Sequence, residues 1–289
     1  MGSFCGASAE LCAGAKGSFA RGWVTMKIIS SAENAGFKSL LRLMRSAKER
    51  RVSGVSLLDG EHLVESYLRC SGTPQSIAIS QSASKHPAIM DLLRRADCHE
   101  VILLADGLFR QLSTVETPTG ILAVIRTPRP DQPLQMSGDS VWLEDIQDPG
   151  NLGSILRSVA AAGVKTVCLS RQCVHAWSPR VLRAGMGAHF GLTLYEGQDL
   201  RNLAMHYQGQ IVAMCLREGS SLYATDLRRD TAFVFGNEGA GLSPQWKSIA
   251  TMIAHIPMPG TVESLNVAAA AAICLFEQSR QKISVKTIS

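Results

Sequence analysis

Beyond residue 139 the chain repeats one local pattern, a short apolar run followed by a helical or Gly/Pro-punctuated segment. The runs are VWLEDI (141–146), VKTVCLS (164–170), LTLYE (192–196), QIVAMCL (210–216) and TAFVFG (231–236). Such alternation predicts a mainly parallel sheet covered on both faces, because parallel strands need crossover helices. A weaker alternation precedes it, with helices expected near 34–50, 61–70, 86–95 and 107–112 and strands near 55–58, 76–80, 100–104 and 120–125. Between the two halves lies TPRPDQPLQMSGD (127–139), whose three prolines exclude helix interior and central strand. The expectation is an α/β chain with a smaller domain over 26–126, a linker over 127–139 and a second domain over 140–289.

Composition narrows the function classes. With 46% hydrophobic and 18% charged residues, the 289-residue chain has the make-up of a packed globular protein. Its longest apolar run, Val267 to Phe276, falls well short of the roughly 18 residues that a membrane span needs. The eight cysteines are scattered without a CxxC, and no hydrophobic leader precedes them, which predicts reduced thiols in a cytoplasmic protein. The nearest metal-like grouping, Cys168, Cys173 and His175, lacks a second ligand pair, so no metal is expected. Residues 1–25, rich in Ala, Gly and Ser, read as a loose tail, with Met26 opening the better-organised sequence.

Charge is unevenly distributed. From Met26 to Pro130 there are 14 basic and 10 acidic residues, a net of +4, whereas Asp131 to Ser289 balances at 13 and 13. Much of the excess is Arg42, Arg45, Lys48, Arg50 and Arg51, on an expected helix from Phe37 to Arg51 with Phe37, Leu40, Leu41 and Met44 on its apolar side. Two readings stay open: a solvated helix face, or a ridge that binds nucleic-acid phosphates.

Three stretches of the second half carry unusual polar and glycine patterns. EDIQDPGNLGSILRSVAAAG (144–163) leads from a strand into a helix with Asn151, Ser154 and Arg157 off its apolar side. Taken alone, Asn151 reads first as a helix cap and Arg157 as a surface ion pair. FVFGNEGAGLSP (233–244) runs from a strand into a glycine-rich turn that is neither a Walker loop nor a dinucleotide fingerprint, which removes the case for a nucleotide-dependent oxidoreductase. HIPMPGTVESLNVAAAAAICLFE (255–277) is a rigid loop followed by an Ala-rich helix expected from Glu263, with Ser264 and Asn266 in its first turn.

In order and wording these stretches resemble the three signature motifs of the SpoU/TrmH family of RNA ribose methyltransferases, within the SPOUT superfamily. The resemblance implies a parallel-sheet domain with a deep trefoil knot, an exception to the usual unknotted rule. It implies a homodimer, with the active site at the subunit interface, that transfers a methyl group from S-adenosylmethionine to a ribose 2′-hydroxyl of RNA. By motif position Asn151, Arg157, Glu238, Ser264 and Asn266 match the family's functional polar residues. Gly236, Ile256 and Leu265 match the methyl-donor pocket, with Met258 in the same loop. The first domain is similar to the family's substrate-binding domain, which favours ribosomal over transfer RNA. A non-catalytic RNA-binding relative is the alternative of another class, and it would lack the motif polar groups that are present here.

Overall fold

A computed structural model of the chain describes residues 25–70, 72–96, 98 and 100–286. The expected tail therefore lies outside the described residues, except for Thr25, which begins the first strand. In chain order the first half comprises β1 (Thr25–Ile29), α1 (Ala35–Arg45), α2 (Ala47–Ser53), β2 (Val55–Asp59) and α3 (Glu61–Cys70). It continues with β3 (Ser76–Ser80), α4 (Pro87–Arg95), β4 (Glu100–Leu104), α5 (Asp106–Leu112) and β5 (Ile121–Arg126). The second half runs β6 (Ser140–Leu143), α6 (Pro149–Ala161), β7 (Thr166–Ser170), α7 (Pro179–Gly185), β8 (Thr193–Gln198) and α8 (Leu200–Ala204). It closes with β9 (Gln210–Met214), β10 (Ser220–Ser221), β11 (Thr231–Phe235), α9 (Trp246–Ile249), β12 (Met252–His255) and α10 (Val267–Lys286).

The first sheet has the order β1-β4-β3-β5-β2 and is mixed. Strands β1, β4 and β3 are parallel, while β5 runs antiparallel to both β3 and β2. The alternation alone predicts a mainly parallel arrangement; the turn before β5 reverses the chain instead. The buried Asp59 carboxylate holds that turn by accepting from Ser113 Oγ (2.9 Å), Thr114 N (3.0 Å) and Thr114 Oγ1 (3.2 Å). At its end Gly120 (φ +89°) passes so close to β3 that a Cβ would meet Ala83 Cβ at 2.5 Å and Ser80 Oγ at 2.6 Å.

The second sheet, β10-β12-β9-β11-β6-β7-β8, is parallel throughout. Its strands alternate between two apolar layers, as a sheet buried on both faces requires. Val141, Leu143, Phe233 and Phe235 face one core, and Trp142, Ala232 and Val234 face the other. The first of these cores is continuous with that of the small domain, joining Leu58, Ile77 and Tyr67 to Val181 and Trp177. Tyr67 meets Phe190 edge-on with ring centroids 5.4 Å apart, so the two sheets are packed together rather than tethered.

Two helices depart from expectation. The expected helix over 37–51 breaks at Ser46 (φ −115°, ψ 114°), whose hydroxyl caps α2 by accepting from Glu49 N at 3.2 Å. The C-terminal helix begins at Val267 rather than Glu263, because Asn266 caps it; Asn266 Oδ1 accepts from Ala268 N (2.9 Å) and Ala269 N (3.3 Å). Among the described residues no helix is long and apolar enough to cross a membrane.

Candidate active site

Adjacent parallel strands present their following loops at one edge of the sheet, where open α/β folds bind ligands. Because β6 and β11 are neighbours, the loops 144–151 and 236–243 meet there. Glu144 ties them together by accepting from Ser243 N (2.7 Å) and Ser243 Oγ (3.0 Å). Asp145, in the left-handed region at φ 58°, turns its carbonyl to accept from Asn237 Nδ2 at 2.8 Å. Asn237 Oδ1 in turn accepts from Gly239 N (2.9 Å) and Ala240 N (3.0 Å), closing a tight loop. Gly236 is required there: a Cβ would lie 2.3 Å from Gly241 C, Gly241 O and Leu242 N. Glu144, Asp145 and Asn237 escape the sequence reading, and their only signal is their place directly after a strand.

Glu238, Asn151 and Asn266, one from each motif, form a single hydrogen-bonded chain. Glu238 Oε1 accepts from Asn151 Nδ2 (3.1 Å) and Asp148 N (3.1 Å), and Oε2 accepts from Gln147 N (3.3 Å). Asn266 Nδ2 donates to Asn151 Oδ1 at 2.8 Å. Partial burial works against ionisation of Glu238, but N–H donors from its own backbone, Asn151, Asp148 and Gln147 outweigh it and hold the carboxyl below its ordinary range. The capping readings are thus partly right. Asn266 caps α10 and serves the chain at once, whereas α6 is capped by Asp148, which accepts from Asn151 N at 2.7 Å.

Arg157 and Ser264 are not drawn into this chain. Both are exposed, and neither side chain makes a hydrogen bond or ion pair among the described residues, so Arg157 is not one half of a surface salt bridge. Arg157 lies six residues beyond Asn151, about 240° around the helix and about 9 Å along it.

In the segment that precedes Asn266, the loop 255–262 lines a cavity of about 520 Å³. Ile256 and Met258 contribute to it together with Leu216, Arg217, His255 and Val262. Leu265 is half-buried against the central core and Gly236 belongs to the neighbouring loop; neither is in the lining. The lining is mainly apolar, with the side chains of Arg217, His255 and Thr261 as its polar members. That mixture suits a methyl donor with a nucleoside and an aliphatic arm.

The basic residues divide. Arg42 and Arg45 are exposed on α1, and Lys48 and Arg51 are exposed on α2. Arg50 departs from the expected ridge: it is only 4% exposed, and its Nη1 donates to Leu43 O (2.6 Å) and Met44 O (3.0 Å), carbonyls left open by the break at Ser46. Among the described residues there is no group of three or more His, Cys, Asp or Glu placed to hold a metal.

Residues 140–276 match the SpoU rRNA Methylase family, and residues 34–123 match an MRM3-like substrate binding domain. Over 269 residues the chain is 35% identical to the "Uncharacterized tRNA/rRNA methyltransferase slr1673" of Synechocystis, covering 90% of this chain and 96% of that one. The chain belongs to the SpoU rRNA methylase family. As a SpoU methylase it is an RNA 2′-O-ribose methyltransferase, which bears out the resemblance read from the three motifs. A second relative, the 23S rRNA (guanosine(2553)-2′-O)-methyltransferase RlmP of Bacillus subtilis, is 32% identical over 87% of this SpoU methylase and 98% of its own length. Among solved structures, the SpoU methyltransferase AviRb of Streptomyces viridochromogenes in complex with AdoMet superposes with a TM-score of 0.78 at 26% identity, covering 87% of this chain and 99% of that one.

Proposed function

We propose that this SpoU methylase acts on ribosomal RNA, with S-adenosylmethionine in the cavity at 255–262 and the target ribose held by the Glu238–Asn151–Asn266 chain. The observation that carries this reading is the convergence of one polar residue from each motif, with a cavity lined by the loop that leads into the third of them, Asn266. When bound, S-adenosylmethionine supplies an electrophilic methyl group. Ile256, Met258 and Leu216 would form the apolar walls around it. Gly236 and Leu265 shape the adjoining backbone without lining the cavity.

Each remaining residue has a chemical part. Because Asn266 Oδ1 is used by its cap, its Nδ2 must donate, so Asn151 Oδ1 accepts and Asn151 Nδ2 turns to Glu238. Each asparagine keeps one amide N–H for the ribose or its phosphate. Glu238, ionised and covered by donors, is a poor base and orients Asn151 instead. Arg157, a planar cation with a fork of N–H donors, clamps a phosphate and stabilises charge developing on the 2′-oxygen. Ser264 adds an exposed hydroxyl at the rim, and the proton leaves to phosphate or water.

The reading includes a homodimer. Its support is that Arg157 stands clear of the chain in its own protomer, and that α10 exposes Phe276 (52%) and Ala269 on one side, seven residues apart. It also includes a trefoil knot: from β12 the chain must pass the ends of β9 and β11 for Asn266 to reach Asn151. The division into 26–126, 127–139 and 140–289 is supported by two sheets built from separate halves. A cytoplasmic location is supported by the relatives from Synechocystis and Bacillus subtilis. Incubating the enzyme with labelled S-adenosylmethionine and separated ribosomal and transfer RNA tests the substrate. Label confined to transfer RNA would overturn the ribosomal assignment.

A further inference from the structure

A second cavity, about 450 Å³, lies between the two sheets, and neither the motif residues nor the donor loop lines it. Its walls carry Arg50 and Arg51 from α2, Arg129 from the linker, Arg171 after β7, and His175 and Glu196 from the second domain. The lining thus holds four arginines and a single carboxylate residue. Arg51, Arg129 and Arg171 are exposed and form no ion pair or hydrogen bond among the described residues. Arg51 is drawn electrostatically to Glu196, the one carboxylate in the lining, which leaves Arg129 and Arg171 as an excess of positive charge that an anion relieves.

Two buried groups in the same walls also lack partners. Arg50 Nε is buried without a hydrogen bond although its Nη1 is satisfied. His175, 7% exposed, has an unpartnered Nδ1, and its Nε2 lies 3.8 Å from Glu196 Oε2, beyond hydrogen-bond reach. Glu196 is otherwise engaged, accepting from Ala176 N at 2.9 Å. Burial, and then repulsion from Arg51 and Arg50, keeps His175 neutral, able to donate and accept once each.

The cleft opens on the same sheet edge as the active site. Ser170, in its lining, accepts from Asp145 N at 2.9 Å, and Asp145 O accepts from Asn237 Nδ2 beside Glu238.

We propose that this interdomain cleft is an RNA subsite that receives the phosphodiester backbone of the strand flanking the methylated nucleotide, with Arg51, Arg129 and Arg171 on the phosphates. The proposal rests on the RNA methyltransferase reading, and it gives the basic excess of the first half a place: the cleft, rather than the exposed side of α1.

The test compares the wild type with Arg129→Gln/Arg171→Gln and, separately, with Arg42→Gln/Arg45→Gln. Binding of a ribosomal RNA fragment is followed across a salt series, methyl transfer under varied RNA, and donor affinity by calorimetry. The cleft variant should raise KM for RNA about tenfold or more and flatten the log–log salt slope by about 0.7 per lost contact. Its kcat at saturating RNA and its donor affinity should stay at wild-type values, which also reports that it folds. Wild-type KM and slope in the cleft variant would overturn the proposal, as would a slope that responds only to the α1 variant. A wild-type enzyme that binds the fragment with a cleft-dependent slope yet methylates no RNA would uphold the subsite and sink the proposed reaction.

Discussion

Asn266 and Asn151, 115 residues apart in the chain, share a 2.8 Å hydrogen bond that joins the last motif to the first. Its direction follows from the cap of α10, so helix stability and site polarity are written into one side chain. The two duties separate by mutation. Asn266→Ala should lose about 1 kcal/mol of stability with the cap. Asn266→Asp should keep the cap and the melting temperature, yet place an acceptor against Asn151 Oδ1. Removal of one positioned donor lowers turnover by about a hundredfold or more, so Asn266→Asp should be stable and slow. A stable, fully active Asp variant would contradict the network.

Gly236→Ala tests the loop. A Cβ at that position meets Gly241 and Leu242 backbone atoms at 2.3 Å, which the loop cannot absorb without opening. The expected outcome is a loss of about 1–3 kcal/mol in stability and weaker donor binding by calorimetry. Wild-type values for both would show that the loop is looser than its hydrogen bonds imply.

Two buried histidines set an acid limit. His175 and His189 are each held down to about 4, by burial first; Arg51 and Arg50 add repulsion at His175, and Ala176 O partly offsets burial at His189. Their folded pKa lies below the unfolded value of about 6.5, so between those values the unfolded chain binds more protons and stability rises with pH. Stability should therefore be full above about pH 6.5 and fall away toward pH 4. Chemical denaturation across that range checks the slope, and ring resonances of both histidines should remain neutral at pH 5. Titration near 6.5 would contradict the burial.

Arg157→Lys separates catalysis from scaffolding. With no carboxylate partner to lose, the variant should melt like the wild type and bind the donor normally. A lysine cannot reproduce the planar fork, so single-turnover methylation should slow by about a hundred- to a thousandfold. Near-normal turnover would remove Arg157 from the chemistry.

The second domain was the more legible half because its strands are unbroken apolar runs; five of its seven strands are visible as such. Met252–His255 escaped because four residues beside a proline-rich loop carry little pattern, and Ser220–Ser221 carries none. Of the five polar residues to which the three motifs point, Asn151, Glu238 and Asn266 meet and Arg157 and Ser264 do not; the hydrogen-bond order depends on the cap of α10, which begins four residues later than its composition suggests. In the first domain, helical periodicity persists through Ser46 although the backbone breaks there, so Arg50 reads as exposed when it is buried. The cleft was invisible because Arg51, Arg129 and Arg171 become neighbours only when the two sheets pack together.

The central claim is that the three-motif site methylates a ribose hydroxyl. Ribosomal RNA labelled by the enzyme with methyl-tritiated S-adenosylmethionine should be hydrolysed in alkali, because a 2′-O-methyl group blocks cleavage of the adjoining phosphodiester. The account predicts label in an alkali-resistant dinucleotide, and a rate reduced about a hundredfold or more by Asn266→Asp. Label recovered in mononucleotides, with the methyl group on a base, would contradict it.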